Sequence, residues 1–168
     1  MPVQRLNHAV LYVRDLDRSV GFYTDALGFR VVTGIPGRAA FLQAEASTND
    51  HDLGLFAIGT GAGASQAGRA TVGLYHLAWE VDTLGELQRI AGVLRERGSL
   101  VGASDHGSTK ALYAHDPDGI EFEVSWLVPA DLLTPDVQMT TAPLDLDAEI
   151  ARYGAETPGG IGVSVAAR

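Results

Sequence analysis

Apolar residues recur with two different periods along the chain, and the changes of period divide it into predicted elements. Residues 6–13 are dense in β-branched, aromatic and apolar side chains, which predicts a strand. A helical repeat of apolar positions follows, with Asp17 as the expected N-cap and Gly28 as the expected residue beyond the last turn. Three more strands are predicted, at residues 29–33, 38–43 and 51–58. The chain therefore begins with the order strand, helix and three strands.

The same order begins again after residues 59–73, a stretch rich in Gly, Ala and Ser without periodicity that is typical of a linker. The pattern of the first strand returns 68 positions later, where His76 matches His8. A second helix, capped by Thr83 and ended by Gly98, is predicted next, and a further strand follows it. The repeat places the two histidines at equivalent positions on equivalent strands.

Residues 105–126 predict a β-hairpin. Its two strands, residues 110–115 and 120–126, flank the sequence Asp-Pro-Asp-Gly, in which proline presets φ and glycine tolerates a conformation that side chains disfavour. Because side chains alternate along a strand, Glu123 lies on the face opposite to the apolar residues of its own strand. In the first strand, Tyr113 shares one face with Ala111 and His115.

Two copies of βαβββ predict an α+β fold in which the modules pair into an open, cup-shaped mixed β-sheet with helices outside. The expected boundaries are a single domain over residues 1–128, made of module one at 4–58, the linker at 59–73 and module two at 74–128, and a C-terminal extension at 129–168. Within the extension, residues 144–153 predict a short helix capped by Asp145. We expect that helix to pack over the mouth of the site or against a partner subunit.

Composition narrows the classes of partner. The chain has 168 residues and a net charge of -9, which disfavours binding to nucleic acid and to anionic membrane surfaces. The start of the chain lacks a long apolar run with a charged flank, and no stretch approaches the length of a membrane helix, so we expect a cytoplasmic protein. The absence of cysteine excludes thiolate ligands and leaves histidine and carboxylates to hold any metal.

Glu123 is the first sign of a metal site. A carboxylate in the middle of an apolar strand is unfavourable unless a cation or solvent meets it, and no Lys or Arg occurs between Ala111 and Val128. Together with His8 and His76 it gives two imidazoles and one carboxylate, a facial triad that leaves positions open for substrate and dioxygen. Fe(II) fits this ligand set first and Mn(II) second, and Ni(II) and Zn(II) are compatible with it.

Each of these residues taken alone also has a simpler interpretation. A lone histidine in a strand is more often a structural residue than a ligand. His106 by itself would suit a turn, and Tyr113 would suit the apolar surface of a hairpin. His51 and His115 follow or precede acidic residues in predicted loops, and we expect both to be solvated. The repeat and Glu123 together favour the metal site.

The hairpin carries a specific resemblance. The run His106-x5-Leu112-Tyr113-x2-Asp116-Pro117-x-Gly119-x3-Glu123 resembles the signature of type I extradiol ring-cleavage dioxygenases, the catechol 2,3-dioxygenases. These enzymes belong to the vicinal oxygen chelate superfamily, which also holds glyoxalase I and the bleomycin- and fosfomycin-resistance proteins. Ser104 departs from the signature, which prefers Gly, Asn, Thr, Ile or Val there. The resemblance covers about residues 4–128.

The resemblance implies a role for each candidate residue. His8, His76 and Glu123 would be the metal ligands, most simply of Fe(II), and the substrates would be a catechol-like aromatic compound and dioxygen. His106 would take a proton from the catechol or return one later, and Tyr113 would hold a substrate oxygen. Asp105 would orient His106. A homodimer is expected.

Other functions of the same superfamily stay open. A glyoxalase-like isomerase or lyase resembles this chain but usually takes a fourth ligand from the last strand of the other copy, where this chain offers the apolar residues 53–56. An antibiotic-sequestering protein of the bleomycin-resistance type, without catalysis, would lack the three ligands. A fosfomycin-type transferase would need a Ser, Lys and Arg cluster, for which Lys110 alone does not suffice.

Overall fold

The computed structural model describes residues 2–67, 70–134, 137 and 140–160, and the chain forms two compact units. The first unit comprises Met1–Gln66 together with the turn Asp116–Gly119. The second comprises Ala67–His115 and Ile120–Arg168.

The first unit is one βαβββ module. Its elements are β1 (Ala9–Val13), α1 (Leu16–Leu27), β2 (Arg30–Ile35), β3 (Ala39–Gln43) and β4 (Leu53–Ala57). The strands form a sheet in the order β1-β4-β3-β2, in which β1 and β4 are parallel and the other pairs antiparallel. Leu11 and Val13 of β1 and Leu53 and Leu55 of β4 are buried, whereas the alternating Tyr12 is exposed. One face of the sheet therefore carries the core.

The boundaries of α1 confirm one predicted cap and correct the other. Gly28 ends the helix in the left-handed region, with φ of 72°, as the sequence predicts. The N-cap is Asp15 and not Asp17: its backbone is extended, and its carboxylate accepts a hydrogen bond from the Arg18 N–H at 3.0 Å. Asp17 lies in the first turn instead, where its charge still suits the positive end of the helix.

The second unit repeats the module and adds to it. Its elements are β5 (Leu77–Glu80), α2 (Leu84–Glu96), β6 (Leu100–Asp105), β7 (Thr109–His115), β8 (Glu121–Leu127), a 3-10 turn (Ala130–Leu132), β9 (Ala142–Pro143) and α3 (Leu146–Tyr153). The sheet order is β5-β8-β7-β6-β9, with β5 and β8 parallel. Thr83 caps α2 and Asp145 caps α3, as predicted. The α+β fold with two βαβββ modules and open sheets is confirmed.

The hairpin turn is held as predicted and belongs to the first unit. The Gly119 N–H donates to the Asp116 carbonyl at 3.0 Å, and Gly119 has a φ of 85°. Tyr23 of α1 donates its hydroxyl proton to the Asp116 carboxylate at 3.1 Å, and Arg14 pairs with Asp118 at 2.9 Å. Burial and the nearby Asp116 charge raise the pKa of Tyr23 well above its ordinary value, so its phenol stays protonated.

The helix α3 of the C-terminal extension packs on the core face of the second sheet. Glu149 of α3 pairs with the buried Lys110 of β7 at 2.9 Å, and Tyr153 lies 5.5 Å from Trp126 between ring centroids. Lys110 and Trp126 point to the face opposite to that of Glu123, because they alternate with the residues on its side. The expectation that this helix packs over the mouth of the site is therefore wrong. Within the described residues, no helix has the length and apolar character needed to cross a membrane.

Candidate functional site

Three strands of the second unit bring polar side chains to one sheet face. Glu123 of β8 lies opposite Tyr113 of β7 on one side and opposite Ala78 of β5 on the other. His76 immediately precedes β5, and its Nε2 lies 3.3 Å from the Glu123 Oε2. Both side chains are mostly buried, with 24% and 14% of their surface exposed. The register of the sheet thus places the predicted pair of second-module ligands together.

The His76 ring is held by neighbouring rings. Its centroid lies 4.6 Å from that of Tyr75 and 5.9 Å from that of Tyr113. Its Nδ1 is buried and has no hydrogen-bond partner among the residues that the structure describes. Packing against these rings and the Glu123 contact orient the His76 ring. Two donors that share one ion about 2.1 Å away at a right angle lie about 3.0 Å apart, and the observed 3.3 Å separation fits that arrangement.

Tyr113 links this pair to His106. The Tyr113 hydroxyl lies 3.0 Å from the His106 Nε2. Burial raises the pKa of Tyr113, and the charge of Glu123 and a hydrogen bond to it add to the effect. A phenol is protonated at neutral pH even at its ordinary pKa of about 10, so the Tyr113 hydroxyl has one proton to donate, either to Glu123 or to His106.

The partner of His106 differs from the prediction. Its Nδ1 lies 2.9 Å from the carbonyl oxygen of Thr140, which is 34 residues further along the chain. Asp105 does not orient His106, because its carboxylate binds the Lys110 ammonium group at 2.5 Å and the Gly107 N–H at 2.7 Å. Sequence reasoning missed Thr140, since nothing local to it indicates that it lies beside the hairpin.

His8 occupies the matching place in the first unit. It directly precedes β1 as His76 precedes β5, and its Nδ1 lies 2.7 Å from the Asn7 Oδ1. Its ring packs on that of His51, with 4.4 Å between centroids. The expectation that His51 is solvated is wrong: only 16% of its side chain is exposed, because His8 and Phe41 cover it.

The two modules differ at the position of Glu123. Val10 pairs with Gly54 in the first sheet, and Ala78, 68 positions after Val10, pairs with Glu123 in the second. Gly54 therefore matches Glu123 in register. A side chain there would begin 3.4 Å from Val10 and 3.6 Å from Phe41, both apolar. The first module supplies neither a ligand nor a base at this position.

A second histidine and glutamate pair lies on the same face as Glu123. His115 and Glu121 are cross-strand partners, with 3.7 Å between Nε2 and Oε2, and 45% of the His115 side chain is exposed. Across residues 2–67, 70–134, 137 and 140–160, no group of three or more His, Asp or Glu side chains is placed to hold a metal ion. The pair of His76 and Glu123 is the part of the predicted ligand set that lies within one unit.

The chain is similar to proteins of one superfamily. A family model described as the glyoxalase/bleomycin resistance protein/dioxygenase superfamily matches residues 5–124. A catechol-2,3-dioxygenase of Bacillus subtilis is 29% identical over 155 residues, covering 90% of this chain and 53% of that protein. A biphenyl-2,3-diol 1,2-dioxygenase of Rhodococcus globerulus is 37% identical over 116 residues, covering 68% of this chain and 59% of that protein.

The chain is thus similar to between half and three-fifths of the length of these two curated relatives. Among solved structures, a lactoylglutathione lyase from Agrobacterium tumefaciens superposes with a TM-score of 0.54 at 23% identity. The match covers 74% of this chain and 95% of the lyase. That likeness supports the fold alone.

Proposed function

Because the chain belongs to the glyoxalase/bleomycin resistance protein/dioxygenase superfamily, we propose that it is a metal-dependent extradiol dioxygenase that opens a catechol-like ring with dioxygen. One observation carries the proposal above the other functions of the superfamily. His76 and Glu123 lie 3.3 Å apart, the Tyr113 ring lies next to His76, and the Tyr113 hydroxyl contacts His106; these are four of the five residues that the resemblance to the dioxygenases implies, and His8 is the fifth. A cytoplasmic location and a homodimer belong to the same proposal.

The proposed ligands are His8, His76 and Glu123, and the proposed metal is Fe(II). The contact of the His8 Nδ1 with the Asn7 amide oxygen supports this role, since an oxygen there accepts a hydrogen bond from Nδ1–H and leaves the lone pair on Nε2. A bound dication would make the catechol hydroxyl groups easier to deprotonate. With three protein ligands, positions stay open for substrate and dioxygen.

His106 and Tyr113 are proposed to handle the proton and the substrate oxygen. His106 has the ring nitrogen needed to accept a proton from a catechol hydroxyl, and Tyr113, whose pKa is raised by burial and by Glu123, keeps a proton to donate in a hydrogen bond. General acid–base groups of this kind contribute roughly 100-fold to 10,000-fold in rate.

The register of the sheets disfavours the main alternative. A glyoxalase-like isomerase with four protein ligands needs a donor from the first module, where Gly54 matches Glu123.

A fosfomycin-type transferase is disfavoured because Lys110 is buried and paired with Asp105 and Glu149. A sequestering protein without a metal would have no use for a largely covered His76 beside Glu123.

The test is anaerobic reconstitution of the protein with Fe(II), followed by oxygen uptake and absorbance of a yellow ring-opened product with a panel of catechols. His76→Ala and Glu123→Gln are expected to lose both metal binding and turnover. His115→Ala and Glu121→Gln are the matched controls, because they alter the neighbouring pair on the same face and are expected to retain metal.

Three outcomes distinguish the candidate functions. Oxygen uptake that the His76 and Glu123 variants abolish establishes the dioxygenase. Tight metal binding without oxygen uptake refutes it in favour of an isomerase or lyase. A protein that binds no metal under any of these conditions refutes both and leaves the sequestering function.

A further inference from the structure

The C-terminal extension contacts the candidate site at one atom. The carbonyl oxygen of Thr140 lies 2.9 Å from the His106 Nδ1, while the Nε2 of the same ring lies 3.0 Å from the Tyr113 hydroxyl. Thr140 lies outside residues 5–124, the part of the chain that matches the family. We infer that the extension, anchored through Glu149, fixes the tautomer of His106 and so makes its Nε2 the proton-accepting nitrogen.

The assignment follows from what each group can donate. A carbonyl oxygen only accepts hydrogen bonds, so the His106 Nδ1 must carry the proton that it shares with Thr140. In the neutral ring Nε2 then holds the lone pair. The Tyr113 hydroxyl lies beside that lone pair and has one proton, for which His106 Nε2 and Glu123 are the two acceptors in the resting site; a substrate hydroxyl can take its place. This inference rests on the proposed function for its catalytic consequence, although the tautomer itself does not.

Apart from Tyr113, the hairpin residues next to His106 do not orient its ring. Asp105, the nearest carboxylate in sequence, is bound by Lys110 and by the Gly107 N–H. The backbone groups of His106 serve the turn: its N–H donates to the Thr109 carbonyl at 2.9 Å. Thr140 is therefore a positioning residue, acting through its backbone oxygen.

Several contacts hold the extension in this place. β9 pairs with β6 at Asp105 and Ala142, one and two residues from the contacting groups. The buried Lys110 joins Asp105 of the hairpin to Glu149 of α3, so a single ammonium group ties the extension to the turn that carries His106. Gln88 of α2 adds a hydrogen bond to α3.

One competing arrangement would reverse the assignment. The Thr141 hydroxyl lies 3.4 Å from the same Nδ1, and a hydroxyl, unlike a carbonyl, can donate a proton to it. If Thr141 were the donor, Nδ1 would hold the lone pair and Nε2 the proton, and His106 would not accept a proton from the side of Tyr113. The shorter Thr140 contact favours the first assignment.

The tautomer can be read directly in the metal-free full chain. Long-range proton–nitrogen correlation spectra of protein labelled with 15N-histidine, recorded at about pH 8 where an ordinary imidazole is neutral, distinguish the two ring nitrogens. His106→Gln identifies the signals. We expect a single Nδ1–H form, unchanged in Thr141→Val. A single Nε2–H form, or the averaged pattern of a free imidazole, would overturn the inference.

The anchor is tested by Glu149→Ala. Glu86→Ala is the matched control, because it removes another helical carboxylate, which pairs with the partly exposed Arg89. We expect averaged His106 signals in Glu149→Ala and a kcat at least about twofold lower, because only about half of the rings would then hold the competent tautomer. Metal content and KM should be unchanged, and the control should show no change. Glu149→Gln replaces the alanine variant if that variant does not fold. A folded variant that keeps the single tautomer and the full kcat contradicts the inference.

Failure of the proposed function would look different. The spectra need neither metal nor substrate, so a protein that shows the fixed Nδ1–H tautomer but no oxygen uptake would refute the dioxygenase alone. A dioxygenase with an Nε2–H His106 would refute this inference alone.

Discussion

Replacing Lys110 by Met removes one buried cation and little else. The side chain is 1% exposed, and its ammonium group lies 2.5 Å from Asp105 and 2.9 Å from Glu149. Methionine fills most of the volume of the lysine stem, so the packing at this buried position changes little. Two carboxylates are left without their shared partner. The variant therefore isolates the electrostatic part of the link between the hairpin and α3.

The expected loss of stability follows from the burial of the three groups. Removing one member of a buried ion pair costs about 3–5 kcal/mol, because the remaining charge is left without compensation. Here the carboxylates keep some contact with solvent, with 27% of Asp105 and 13% of Glu149 exposed, which favours the lower limit. A loss of about 3 kcal/mol lowers Tm by about 6–12 °C in a protein of this size.

The stability that Lys110→Met loses should be smaller at acidic pH. Burial alone would raise the pKa of Asp105, but the hydrogen bonds from Lys110 and Gly107 and the lysine charge outweigh it and lower that pKa. A lowered folded pKa gives stability that is present above the unfolded pKa of about 3.9 and is lost as pH falls through the folded value. Without Lys110 this contribution is absent. The gap in Tm between the two proteins should therefore narrow below about pH 4.

Thermal unfolding followed by circular dichroism at pH 7 and pH 3.5 measures both effects. Arg89→Met is the control: it breaks a surface ion pair in which 43% of the arginine is exposed, and we expect a loss of at most about 1 kcal/mol. The reasoning is refuted if Lys110→Met is no less stable than the control at pH 7, or if its deficit is the same at both pH values.

Three further changes test the site and its support. Tyr113→Phe should lower kcat about 100-fold with metal content unchanged, because the phenol next to His106 and Glu123 is lost. Steady-state kinetics and metal analysis measure both quantities, and a loss of bound metal would contradict this role. Tyr23→Phe should remove a loss of stability above about pH 10, since the raised pKa of Tyr23 favours the folded state only while the phenol is protonated; urea titrations at pH 8 and pH 11 compare the two proteins. Gly28→Ala should cost about 1 kcal/mol in urea unfolding, because φ there is 72°, and an unchanged midpoint would contradict the assigned cap.

Local signals account for the features that the sequence predicts correctly. The hairpin turn, the αL glycine after α1 and the caps Thr83 and Asp145 depend on residues within a few positions of each other. The N-cap of α1 shows the limit of such signals. Asp15 and Asp17 carry the same side chain, and the choice between them depends on which residue has an extended backbone when the chain leaves β1.

Competition between partners explains what the sequence could not show. Asp105 was expected to orient His106, but β6 and β7 pair Asp105 directly with Lys110, and an ammonium group buried on that face attracts the carboxylate more strongly than a neutral imidazole does. His106 then takes its partner from Thr140, and His51 is covered by His8 and Phe41. These contacts join distant parts of the chain, and no spacing in the sequence reports them.

The difference between the modules is the strongest argument about chemistry. The four module strands have the same order in both sheets, so backbone geometry alone permits a carboxylate from the last strand of each module. The second module has a carboxylate at this position, Glu123, whereas the first module has Gly54 there, between Val10 and Phe41. An ion held by His8, His76 and Glu123 would keep coordination positions free, whereas a fourth protein ligand would occupy one that dioxygen or a catechol oxygen needs. Oxygen uptake is therefore the activity to measure before any isomerase assay.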